Sequence, residues 1–409
     1  MDQRQDHPGW LASPWNEVQG SPVLDHELQI HDVTLRDGEQ QTGVSFTATD
    51  KIRIAEALAE AGVHRIEAGL PAVSPDDMKA VRAIAQLGLS SDIYAFSRCM
   101  LEDVKRALDC GVVGVVMEIP ASRHLIEAGY QWSVQKAMDL SIEATQFAHQ
   151  NGLRVSFFPI DATRASTDDY LTLVGEVARN GHIDSLGLVD TFGVLAPHAV
   201  ERFVRASKET FDVPLETHFH MDYGLGVANT LTAAVAGASV LQTTVSGIGE
   251  RAGNTPLEET VMALKTLYGR DVGIQTRMLT PLARLVGELS GVNQPSNRPV
   301  TGSRLFEIES GIVSSWWRNA GRDAPEEVFP YLPHLVGQPE PKLVLGKGSG
   351  IDNVVQALER LGLEASPDQQ QRILEAVKLR SLELRGLVSD DEFSRIVRLV
   401  RGRTDAARC

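Results

Sequence analysis

Between residues 25 and 268 short apolar runs alternate with amphipathic stretches of helical period, and the alternation repeats eight times. The runs read as strands are Leu28–Val33, Arg65–Gly69, Ile93–Phe96, Val112–Ile119, Arg154–Ile160, Ser185–Val189, Leu215–His220 and Val240–Val245. They are rich in Val, Ile and Leu and do not alternate apolar with polar residues, as expected of strands covered on both faces. Helix starts lie between them. Thr47 with Asp50, Ser74-Pro75 with Asp77, Ser166 with Asp169 and Thr255-Pro256 with Glu258 each read as a capping box, two with proline at the first helical position. Gly62 is placed to end the first helix. Eight such units predict an α/β chain closed as a (β/α)8 TIM barrel over residues 25–290, with a doubly wound open sheet as the alternative.

Beyond a further helix, Leu279 to Ser290, the pattern changes. Gly291 to Pro299 reads as a linker opening an irregular subdomain over 291–350. A helical subdomain over 351–409 follows, with patterns at Ile351–Leu361, Ser366–Leu384 and Ser389–Arg401; Ser366 with Gln369 and Ser389 with Glu392 mark two starts. This tail is expected to hold little core alone and to pack on the barrel or on a second subunit, which predicts a homodimer. Residues 1–24, polar and carrying Pro8, Trp10, Pro14 and Trp15, read as a loose or partner-contacting arm without the pattern of a secretion signal.

Composition narrows the setting. Hydrophobic residues make up 43% of the chain, and no apolar run approaches membrane-spanning length, so a soluble globular protein is expected. Cys99, Cys110 and Cys409 form neither an even framework nor a metal spacing, which fits a reducing cytoplasm. A formal charge of −15 argues against nucleic acid or an anionic membrane as partner.

Candidate chemistry gathers where strands end. His218 and His220, spaced i, i+2, project from one face of the seventh strand at its C-terminal end. In a barrel the turn after the first strand, Asp32 to Gln40, opens on the same mouth and brings Arg36, Asp37 and Glu39. Asp37 completes a two-histidine, one-carboxylate set with coordination positions left open, suited to Zn, Mn, Co, Fe or Mg. The eighth turn, Ser246 to Asn254, offers Gly247, Gly249, Gly253 and Asn254, where an anionic group could sit; alone, a plain βα turn explains these glycines equally well.

Six motifs in order carry a resemblance. Thr34 to Gln40, Ile66 to Pro71, Asp161 to Arg164, Asp190 to Val194, His218 to His220 and Gly247 to Asn254 together resemble the DRE-TIM metallolyase superfamily. That superfamily includes 2-isopropylmalate, homocitrate and citramalate synthases and 3-hydroxy-3-methylglutaryl-CoA lyase. The resemblance implies that Asp37, His218 and His220 bind a divalent metal, Asn254 serving as a fourth ligand, and that the metal holds a 2-oxo acid. It implies that Arg36 stabilises an oxyanion, that Thr191 holds a substrate carboxylate, and that Glu67 and Arg164 are polar substrate-binding positions. It places an acyl-CoA, expected to be acetyl-CoA, over the loop of Gly247, Gly249 and Gly253.

The chain departs from the family at Val313 and Gly348, where histidines are usual, at Ile160, where an acidic residue is usual, and at Met221 in place of asparagine. Glu118 and His124 are the candidates for a replacement base, with Glu67 behind them. Trp316, Trp317 and Tyr331 are candidates for an apolar substrate pocket or for subunit packing. The expected activity is that of an acyl-CoA-dependent 2-alkylmalate- or homocitrate-type synthase. The alternatives are a metal-dependent acyl-CoA lyase or aldolase, and a non-catalytic barrel that kept its metal.

Overall fold

Strands β1 (Gln29–Asp32), β2 (Arg65–Glu67), β3 (Asp92–Arg98), β4 (Gly114–Pro120), β5 (Arg154–Ile160), β6 (Ser185–Asp190), β7 (Leu215–Phe219) and β8 (Val240–Thr243) pair in parallel and in order. The register His31↔Arg65 on one side of β1 and His31↔Gln242 on the other closes the barrel. The computed structural model describes residues 9–16, 24–321 and 323–406. The expectations for the rest of the N-terminal arm and for Cys409 lie outside these residues.

Helices α1 (Ala48–Glu60), α2 (Pro75–Ala85), α3 (Leu101–Cys110), α4 (Val134–Gln150), α5 (Thr167–Asn180), α6 (Pro197–Thr210), α7 (Gly226–Ala236) and α8 (Leu257–Leu267) follow the strands in turn, and α9 (Leu279–Ser290) completes this unit. Their starts follow the predicted chemistry at three places. Thr47 and Asp50 form a reciprocal capping box, and Ser74 and Ser166 accept from the backbone N–H groups of Asp77 and Asp169. The fourth start is corrected. Thr255 does not cap α8; its hydroxyl donates to the Phe219 carbonyl at 3.1 Å, and the Glu258 carboxylate accepts from Ser246 N at 2.9 Å. Thr255 thus holds the end of the eighth turn against the seventh strand, and Glu258 ties the start of that turn to α8.

Inside the lumen Tyr94, Phe96, Val116, Phe158 and Val189 form a buried apolar plug, with Leu70 and Ile160 against it. Beneath the plug the lumen is polar. Glu216 of β7 accepts from Arg65 of β2 at 2.9 Å and from Ser156 of β5 at 2.9 Å, contacts that non-neighbouring strands make only across the lumen.

Residues 14–294 make one compact unit; Pro295 onward, with the N-terminal residues to Ser13, makes another. In the second unit β9 (Glu307–Ile308) and β10 (Lys342–Leu343) pair in parallel, and α10 (Gly311–Trp316) follows β9. These two-residue strands are too short to show a period, so the sequence reads as irregular there. Trp10 bridges Tyr331 in antiparallel fashion. Helices α11 (Ile351–Arg360), α12 (Pro367–Leu384) and α13 (Asp390–Ala406) do enclose a core, contrary to expectation. Val354, Leu358, Ile373, Val377, Phe393 and Val397 are buried together there, because three amphipathic faces converge where Leu345 bridges Val388. Trp317 and Tyr331 pack with Phe306 and Phe329, whereas Trp316 is exposed. Among the described residues no helix is long and apolar enough to cross a membrane.

Candidate metal centre

Strand alternation carries His218 to the lumen face of β7, and His220 continues it one step past the strand end. The eighth turn folds back over this end: His220 and Asn254 form an antiparallel bridge, Met221 N donates to Gly253 O at 2.9 Å, and Asn254 N donates to Gly247 O at 3.1 Å. The first turn is tied to the eighth by Val245 N, which donates to Thr34 Oγ1 at 2.8 Å. These ties bring Asp37 Oδ2 to 3.5 Å from His218 Nε2 and 3.9 Å from His220 Nε2, all three residues being buried. One ligand atom from each lies within 4.8 Å of the others. The Asn254 amide donates to Asp37 Oδ1 at 2.7 Å, which leaves Asn254 Oδ1 buried with no partner among the described residues.

The tautomers are set from behind. His220 Nδ1 lies 3.2 Å from the Gly253 carbonyl, which only accepts, so the proton is on Nδ1 and Nε2 carries the lone pair. His218 Nδ1 lies 2.9 Å from Gln242 Oε1; Gln242 Nε2 in turn donates to Glu216 Oε2 at 3.2 Å, which orients the amide as an acceptor toward His218. Glu216 is held well below the usual carboxylate range, its burial outweighed by His31, Arg65 and Ser185. Burial lowers His220 to about 4 against the opposing pull of Asp37. For Asp37 burial works upward, but Arg36 and the two histidines outweigh it and hold the carboxyl well below its ordinary value.

An anionic carboxylate, two outward Nε2 lone pairs and an orphaned amide oxygen thus face one small space. That donor set fits a divalent cation, and leaving the Asn254 oxygen unpaired costs about 1–3 kcal/mol that a cation would relieve.

Two consequences are measurable. Gln242→Leu should weaken metal binding about 10–100-fold in a competition titration, since it frees the His218 ring; unchanged affinity would show that the ring is oriented without Gln242. His220 has its folded pKa below the unfolded value of 6.5, so the unfolded chain binds more protons between about 4 and 6.5. The metal-free protein should therefore lose stability as pH falls through that window, and His220→Ala should flatten the loss in denaturant melts.

Beside the metal set, Arg36 is locked. Its Nε donates to Glu67 Oε1, its Nη1 to Asp37 Oδ2 at 2.7 Å and to Gln40 Oε1 at 3.3 Å, and its guanidinium stands 4.3 Å from the Phe96 ring centre. Glu67 is fully buried, so its contact is with Arg36. Glu118, half-buried at the end of β4, accepts from Tyr130 Oη at 2.9 Å. Burial raises its pKa above the ordinary 4.5, against the hydrogen bond from Tyr130 and the charges of Arg36 and Arg98.

Residues 27–286 match the HMGL-like family model. The chain belongs to the HMGL-like family. It is 41% identical to a homocitrate synthase of Methanopyrus kandleri over 391 residues, covering 95% of this chain and 97% of that protein. It is 38% identical to a probable 2-isopropylmalate synthase of Ignicoccus hospitalis over 390 residues, covering 94% and 95%. The hydroxymethylglutaryl-CoA lyase of Pseudomonas aeruginosa shares the fold with a TM-score of 0.59 at 23% identity, over 68% of this chain and 95% of that one. These matches support the DRE-TIM metallolyase assignment read from the motifs.

The other predicted positions of this HMGL-like barrel fall into a second network. His124, mostly exposed, places Nε2 3.2 Å from Asp161 Oδ2 and makes no contact with Glu118. Asp161 also binds Arg164 through Nε at 2.5 Å and Nη2 at 2.9 Å, and its N–H donates to Thr191 Oγ1 at 2.8 Å. Arg164 lies over Phe192, 3.7 Å from the ring centre. His124 and Arg164 thus converge on one fully buried carboxylate, and Thr191 holds the backbone N–H of the same residue, which sits at φ 61°.

The glycines of the eighth turn have a local cause. A Cβ at Gly253 would sit 1.9 Å from Gly247 O, and one at Gly249 would sit 2.1 Å from Asn254 Nδ2 and 3.0 Å from Asp37 Oδ1. The turn can close on the metal set only without those side chains. Of the departures, Ile160 packs on the lumen plug, Val313 lies in α10, and Gly348 N donates to Glu309 Oε1 at 2.8 Å. Gln242 and Glu216 escaped the sequence reading. Their one signal is a charged or amide side chain within a strand expected to be covered on both faces.

Proposed function

We propose that this chain is an acyltransferase that condenses an acyl-CoA, acetyl-CoA in the first instance, with a 2-oxo acid. The products are CoA and a 2-hydroxy-2-substituted dicarboxylate. The observation that carries the reading is the buried set of Asp37, His218, His220 and Asn254 set directly against the locked guanidinium of Arg36. The homocitrate and 2-isopropylmalate synthases it resembles at 41% and 38% identity support it.

A divalent cation, Zn, Mn, Co or Mg, held by those four residues would supply the electrophilic anchor for the ketone and carboxylate of the oxo acid. Arg36 donates to the ketone oxygen as it gains negative charge, from a geometry that needs no reorganisation. Glu67 is a positioning residue that keeps Arg36 in place. Glu118 takes the proton α to the thioester, and Tyr130 holds the carboxylate by its hydroxyl. The new C–C bond joins that α-carbon to the ketone carbon; water then cleaves the thioester and CoA leaves as a thiol. Thr191 and Arg164 receive the substrate carboxylates, and His124 supports Asp161 beneath them. The loop of Gly247, Gly249 and Gly253 takes the acyl-CoA. The setting is a cytoplasmic homodimer, for which gel filtration should give twice the chain mass.

The test is a panel. Metal-loaded protein with acetyl-CoA and 2-oxo acids of short aliphatic, branched and dicarboxylic type should release thiol with at least one of them. Silence throughout, with cleavage of the corresponding 3-hydroxyacyl-CoA, would replace the synthase by a lyase. With the active oxo acid and saturating metal, Glu118→Gln should lower kcat about 10²–10⁴-fold. It should also erase the acid limb of the kcat/KM profile, since the base works deprotonated and its pKa is raised.

A further inference from the structure

At the opposite, N-terminal end of the strands the HMGL-like barrel carries a second group of metal-type donors. His149, His182 and Asp184 place one ligand atom each within 4.8 Å of one another. We propose that these residues form a second divalent transition-metal site, of the Zn2+, Ni2+ or Cu2+ class, that clips the C-terminus of α4 to the segment entering β6.

The donors come from two segments, and the barrel fixes both. His149 lies in the last turn of α4, where the helix dipole favours a cation. His182 and Asp184 lie between α5 and β6. Asp184 is pinned to β5: its Oδ2 accepts from Val155 N at 2.7 Å and its N–H donates to Val155 O at 2.9 Å. Its Oδ1 is thereby turned to His182 Nε2 at 2.9 Å. His182 is tied to α4 through its N–H, which donates to the buried Thr145 Oγ1 at 3.2 Å. Gly181 permits that approach, because a Cβ there would lie 2.5 Å from the same Thr145 oxygen. The result is two imidazoles stacked with centroids 3.5 Å apart and planes 17° apart, with a carboxylate at their edge.

Two imidazoles and one carboxylate gathered from two segments are a donor set of the kind that holds a cation, once the His149 ring turns out of the stack so that its lone pair meets that of His182. Two nitrogens and one oxygen, with remaining positions open to water, suit borderline metals better than Mg2+ or Ca2+. Ligand nitrogens in a tetrahedral site with bonds of about 2.0–2.1 Å stand about 3.3 Å apart. The exposed His149 side chain has no hydrogen bond or ion pair among the described residues, so only its stacking on His182 holds the ring against that turn. Nothing in the condensation chemistry uses these residues, and the N-terminal face of a (β/α)8 barrel is the face that serves stability. The clip therefore acts on folding.

The experiment compares the wild-type chain with His149→Ala, both equilibrated with micromolar free Zn2+ and then freed of excess metal. Bound zinc is counted by mass spectrometry and Tm is read with and without Zn2+. Two equivalents in the wild type, one in His149→Ala, unchanged condensing activity and a Zn2+-dependent rise in Tm that is smaller in the variant than in the wild type would support the site. One equivalent in the wild type and none in the variant would also support it, while refuting the metal centre at the mouth. The same zinc count in the two proteins would overturn it, as would a Zn2+-dependent Tm rise of equal size in the two.

Discussion

Asp37→Ala is expected to empty the metal centre at the barrel mouth and to lower kcat by at least about 10³-fold, with the far-UV spectrum unchanged. Asp37 is the one anionic donor of the set, and its Oδ1 is also the acceptor that orients the Asn254 amide. Without it, two neutral donors and a mobile amide face the cation. Polarisation of a carbonyl by a metal is worth several kcal/mol, and each 1.36 kcal/mol is a factor of ten in rate. The barrel should survive, because Arg36 keeps Glu67 and the Phe96 face and is not left as an unpaired buried charge. Metal content by mass spectrometry after gel filtration is the direct readout. An equivalent retained in Asp37→Ala, after the His149 cluster has been disabled as well, would refute the ligand assignment.

Arg36→Lys should lower kcat about 10²–10³-fold while the metal stays. The distinction matters because Arg36 and Asp37 are adjacent in sequence but act differently. The guanidinium is held by Glu67 through Nε and by Asp37 and Gln40 through Nη1; its two Nη2 hydrogens have no acceptor among the described residues. A lysine ammonium cannot keep these contacts and still present a fixed donor to the developing oxyanion. KM for the oxo acid should change less than kcat, since the interaction strengthens as charge develops. A kcat within a factor of a few of the wild type, with metal retained, would remove Arg36 from the chemistry and leave it a structural partner of Glu67.

Much of the fold could be read in advance, for one physical reason. Strands of a parallel barrel are covered by helices on one face and by the lumen plug on the other, so they appear as uninterrupted apolar runs. The pairing of His218 with His220 was readable because strand geometry sends i and i+2 to one face. Asp37 joined them through the rule that turns after strands share a mouth. Boundaries were less readable: β2 ends at Glu67 because Gly69, at φ 146°, already turns into the mouth. Thr255 shows the limit of local rules. Its sequence neighbourhood is that of a cap, yet the Phe219 carbonyl claims its hydroxyl.

The candidate base divides in the same way. Glu118 and His124 are six residues apart and looked interchangeable, but Tyr130 takes one and Asp161 the other. Sequence spacing could not separate them, since Asp161 arrives from the fifth turn and Tyr130 reaches back to Glu118 only through the fold of the fourth.

The amino-acid order alone therefore determined the repeating units and the candidate mouth ligands, because hydrophobic period and strand alternation are local properties. Only the tertiary structure decided which nitrogen each histidine presents, how Glu216 and Gln242 stand behind them, and which carboxylate answers to which arginine. Those choices depend on groups far apart along the chain that meet across the lumen, and no local pattern encodes a meeting of that kind.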